Sequence, residues 1–93
     1  MKAELINKED INESITFVNA EVFLDKDQIE ARSLQLEKAM RLGNGYKGKI
    51  KIVFATSEGD KAVETTVWAS TDLYVQLKAD VSIPVNSIKE VLI

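Results

Sequence analysis

The fold is decided by Lys49-Ile50-Lys51-Ile52-Val53-Phe54-Ala55-Thr56-Ser57-Glu58-Gly59-Asp60-Lys61-Ala62-Val63-Glu64-Thr65-Thr66-Val67-Trp68. Ile50, Ile52 and Phe54 alternate with Lys49, Lys51 and Val53. After Ser57-Glu58-Gly59-Asp60, Val63, Thr65 and Val67 alternate with Glu64, Thr66 and Trp68. A period of two is the signature of a strand with one buried face. A turn centred on Glu58-Gly59 sets Phe54 opposite Val63, Ile52 opposite Thr65 and Ile50 opposite Val67, all turned to the core. The other face then carries Val53 with Glu64, Lys51 with Thr66, and Lys49 with Trp68. A one-residue bulge would reverse the faces and bury Glu64, which is costly without a partner.

The period persists downstream. Leu73, Val75 and Leu77 alternate with Tyr74, Gln76 and Lys78, a turn falls at Ala79-Asp80, and Val81-Ser82-Ile83 follows. Pro84 has no amide donor and marks a strand end. Val85 to Ser87 forms a tight corner, and Ile88 to Ile93 a last strand. Five short strands joined by tight turns predict a small meander curled into a barrel.

Upstream the period is helical. Ile29, Ser33, Leu36 and Met40 share one face over residues 25–42, bordered by Arg32 and Ala39, at roughly 100° per residue. Asp25 or Asp27 caps the first turn, Lys38 and Arg41 suit the last, and Gly43 stops the helix. Leu34 falls off that face. Residues 1–24 mix a short helical spacing (Ile11, Ile15, Val18, with Asn7 as a cap) with strand formers such as Phe17, Val22 and Phe23. They read as an arm.

These elements predict one α+β domain over 1–93: an arm at 1–24, an N-terminal helix at 25–42, then a five-stranded antiparallel SH3-like small β-barrel at 47–93. The phrase from Val81 through Pro84 to Val91 resembles SH3-like and Sm-like small barrels in topology, which implies no function. A second resemblance spans residues 38–93. Lys38-Ala39-Met40-Arg41-Leu42-Gly43-Asn44, Lys49 to Phe54, Glu64-Thr65-Thr66-Val67-Trp68-Ala69, Leu77-Lys78 and Ile83-Pro84 together resemble a family of short uncharacterised Bacteroidetes proteins. The Glu64–Ala69 block is its most specific piece, and the family implies no activity or ligand.

The 93 residues hold no Cys and no His, so disulfides and thiolate metal sites are excluded, and the commonest general base is missing. The net charge is −3; residues 1–42 carry six basic and nine acidic side chains, and residues 43–93 carry six of each. Neither half offers the positive field that drives phosphate binding. There is no apolar leader and no run near the ~18 apolar residues of a membrane span, so the reading is cytoplasmic. Gly43-Asn44-Gly45-Tyr46-Lys47-Gly48 matches G-x-G-x-x-G, but a helix precedes it and a strand follows, the reverse of the phosphate-binding order. Asp25-Lys26-Asp27 lacks the remaining ligands of a calcium loop. No catalytic residue, metal ligand or cofactor site is expected.

One candidate binding patch stands out on the outer hairpin face: Lys49, Lys51 and Trp68, the only Trp. Either the helix covers Trp68, or the three form an aromatic-basic patch that grips a peptide or stacks bases, or Trp68 packs against another subunit. The expectation is a non-enzymatic binding or adaptor module with a protein partner. The alternatives are a weak single-stranded nucleic-acid binder using that patch, and a homo-oligomer assembled through the helix stripe or Leu34.

Overall fold

The computed structural model describes residues 3–11, 15–45, 49–78 and 81–93. The chain runs β1 (Glu4–Ile6), a 3-10 turn (Lys8–Asp10), α1 (Lys26–Gly45), β2 (Ile50–Thr56), β3 (Gly59–Thr65), β4 (Val67–Ser70), β5 (Tyr74–Leu77), β6 (Val81–Pro84), a 3-10 turn (Val85–Ser87) and β7 (Ile88–Leu92). The α+β composition stands. The N-terminal helix and the closed barrel do not: a strand precedes the helix, and the strands form two sheets, β1-β3-β2-β7 and β4-β5-β6.

The sheets are joined twice, at Thr66 between β3 and β4 and through the Val85–Ser87 turn between β6 and β7. Neither edge pair closes. Among the described residues β7 pairs only with β2, and β6 only with β5. The physical reason is what fills the opening. Helix α1 packs against both β4 and β7. Beyond Phe54, where β7 leaves off, the arm takes the edge of β2: Phe17 bridges Thr56, the Val18 amide donates to the Ala55 carbonyl, and the Ser57 amide donates to the Thr16 carbonyl.

The β2–β3 register differs from the sequence reading by two residues. Phe54 faces Lys61, Ile52 faces Val63 and Ile50 faces Thr65, because the turn is the tight pair Ser57-Glu58 rather than Glu58-Gly59. Gly59 takes a φ of 108°, which a Cβ would resist, and the Thr56 hydroxyl donates to the Gly59 carbonyl and accepts from the Glu58 amide. A slip of two preserves the faces. Ile50, Ile52, Phe54, Val63, Thr65 and Val67 are all buried, as the alternation requires. Leu73 is not: it stands exposed before β5, while Val75, Leu77, Ile83 and Ile88 complete the core.

Asp25 is the helix cap. Its carboxylate accepts from the Asp27 amide at 2.9 Å, and its carbonyl accepts from Gln28 and Ile29. The helix does not stop at Gly43 but continues to Gly45. The rest of the G-x-G-x-x-G match, and the turn expected at Ala79-Asp80, lie outside the described residues.

Candidate functional site

Helix α1 buries only part of the face its sequence favours. The buried side chains are Arg32, Leu36 and Ala39, while Ile29 and Met40 are half-buried and Ser33 is exposed. The helix is rolled toward Arg32 relative to the predicted stripe. Of that stripe Leu36 belongs to the core and Met40 packs partly against it, while all four residues line a groove of about 570 Å³.

One wall of the groove is α1 from Ile29 to Met40, about 16 Å at roughly 1.5 Å per residue. The other wall is the end of β4 and the turn after it (Ser70, Thr71, Asp72), with Val85 beneath. That turn is pinned. The Thr71 amide donates to the Tyr74 carbonyl at 2.8 Å, and the Thr71 hydroxyl accepts from the Leu73 and Tyr74 amides. The floor is apolar, with Ile29, Leu36, Met40 and Val85; hydroxyls and carboxylates ring it. The volume lies within the range of small-ligand and short-peptide sites.

Arg32 closes one end of the groove and explains the roll of the helix. Its Nη1 donates to Glu21 Oε2 at 2.7 Å and to the Ile88 carbonyl at 3.1 Å; its Nη2 donates to Glu21 Oε1 at 2.5 Å. Its guanidinium lies 5.0 Å from the centre of the Phe23 ring. A residue only 6% exposed thereby ties α1 to the arm and to the start of β7. Its Nε is the one buried side-chain polar atom without a partner among the described residues. The Arg32 hydrogen bonds hold the Glu21 carboxyl below the usual glutamate range, against the opposing effect of desolvation. Sequence reading placed Arg32 only at the border of the helical face. Glu21 sits eleven residues upstream in an arm without clear periodicity, so no spacing announced the pair.

The predicted patch is divided. Lys49 lines a separate, acid-rich cleft of about 560 Å³ with Glu9, Asp10 and Glu64. Lys51 lies in the middle of the first sheet beside Glu64 on β3 and Leu92 on β7. Trp68 belongs to the second sheet. There Val67 pairs with Leu77 and Ala69 with Gln76, so Trp68 is the extra residue of a β-bulge. The helix packs on β4 yet leaves Trp68 47% exposed. The indole is therefore turned outward and half exposed, while the two lysines lie beside carboxylates, Glu64 of the first sheet among them.

Among the described residues no group of three or more His, Cys, Asp or Glu side chains could hold a metal ion. No helix among them is long and apolar enough to cross a membrane. No protein-family model, curated protein or solved structure matches the chain.

Proposed function

We propose that this chain is a non-enzymatic, cytoplasmic binding module that takes an extended segment of a protein partner into the groove between α1 and the Ser70–Asp72 turn. The observation that carries this reading is a preformed concave site with an apolar floor of Ile29, Leu36, Met40 and Val85, of which Ile29 and Met40 stay half-buried rather than fully covered by the domain. An amphipathic helix normally buries its apolar stripe in the core. Here the Arg32–Glu21 pair anchors the helix with Arg32, Leu36 and Ala39 buried and the rest of the stripe along the groove, and the walls on both sides are hydrogen-bonded in place. A rigid groove lowers the ordering cost of binding, which favours a flexible peptide ligand.

The test is binding of fluorescein-labelled hexapeptides, an equimolar pool built from Leu, Val, Ser, Gly and Gln, followed by anisotropy. Ser33 is exposed on the helical wall, so Ser33→Trp fills the groove without disturbing the core. The expected result is binding that Ser33→Trp abolishes and Trp68→Ala leaves intact. Binding unaffected by Ser33→Trp, or no binding at all, overturns the reading.

The exposure of Trp68 supports a second reading, a weak single-stranded nucleic-acid surface. It is the weaker one, because Lys49 and Lys51 lie beside Glu64 and the net charge is −3. Titration with short oligonucleotides at two salt concentrations separates the two.

A further inference from the structure

We infer that the segment held in this groove carries one basic side chain next to an apolar one. The inference rests on the peptide-groove reading above and specifies its ligand. Four ionisable residues line the groove: Glu21, Arg32, Glu37 and Asp72. Two carboxylates are already matched. Glu21 is held by Arg32, and Glu37 accepts from Arg41 at 2.6 Å one helical turn on. Asp72 has no ion-pair partner among the described residues. It stands on the wall opposite the helix, at the tip of the turn that Thr71 fixes. The unmatched charge of the groove is thus a single negative one at a defined place.

A lysine or arginine of the ligand meets that charge, while a neighbouring apolar side chain covers Leu36, Met40 and Val85. An acidic ligand would set its carboxylate against Asp72 and near Glu37, and both would repel it. One cation, rather than a basic cluster, is what the groove complements, which distinguishes this partner from a polybasic tail.

The test uses three equimolar pools of acetylated hexapeptides. Five positions are drawn from Leu, Val, Ser and Gly, and the fourth position is fixed as lysine, glutamine or glutamate. The lysine pool is expected to bind about two- to fivefold more tightly than the glutamine pool, in the range of a partly exposed ion pair. The glutamate pool is expected to bind most weakly. Asp72→Asn should erase the lysine preference, bringing the lysine and glutamine pools to equal affinity. Equal affinities across the pools, or a lysine preference that survives Asp72→Asn, overturn the inference; if Ser33→Trp still abolishes binding, the groove reading stands without it. Failure of all three pools to bind overturns both.

Discussion

Arg32 of α1 grips Glu21 of the arm through both terminal nitrogens, at 2.7 and 2.5 Å, from a position only 6% exposed. The pair fixes the rotation of the helix and so decides which face lines the groove. Removing the guanidinium leaves the Ile88 carbonyl short of a donor and Glu21 unpaired. Arg32→Ala should lower stability by about 2–3 kcal/mol, measured by urea denaturation, since hydrogen bonds to charged groups are worth about 1.5–3 kcal/mol and packing on Phe23 is lost as well. Arg32→Lys should recover only part of it, because an ammonium cannot repeat the two-pronged contact.

The same pair sets an acid sensitivity. The folded-state value of Glu21 is depressed below its unfolded value, chiefly by the Arg32 hydrogen bonds. Its contribution is therefore complete above the usual glutamate range and is lost as pH falls through the depressed folded value. Denaturation midpoints taken between neutral pH and about pH 3 should fall more steeply in the natural protein than in Glu21→Gln. Parallel curves would remove Glu21 from the account.

Phe54 is fully buried, and its ring centre lies 5.6 Å from that of Phe17 at a 48° tilt. Phe54→Ala should cost about 3–5 kcal/mol, the usual range for emptying an aromatic core site. It should also loosen the arm, which hydrogen exchange at the Val18 amide would report. Unchanged thermal stability would mean that the hairpin faces are reversed.

Trp68, by contrast, should contribute less than about 1 kcal/mol, because it stands half in solvent on a bulge. Acrylamide should quench its fluorescence readily. A shielded indole would show that the helix covers it.

The sequence announces more of this architecture locally than globally. The alternation from Ile50 to Val67 places each of those side chains on its correct face, because face assignment depends only on odd-even parity. Parity survives the one-residue change in turn position, which shifts the register by two. The helix is legible from its stripe and from Asp25, but its rotation is not, since it depends on Arg32 meeting Glu21 across an aperiodic arm. Barrel closure is likewise a long-range matter. Nothing in β6 or β7 alone tells whether they meet, and the helix and arm occupy the opening instead. The candidate patch is divided between the sheets for a related reason. Spacing places Lys49, Lys51 and Trp68 on one face of a continuous ribbon, but the chain leaves the first sheet at Thr66 and bulges at Trp68.

The most direct measurement is a methyl-resolved NMR titration of the intact chain with the lysine-fixed hexapeptide pool, following Ile29, Leu36, Met40 and Val85. These four form the groove floor, so their methyl signals should shift together and saturably, while Leu5 and Leu92 on the first sheet stay still. Shifts confined to Trp68 and its neighbours, or none anywhere, would contradict the assignment of the groove as the binding site.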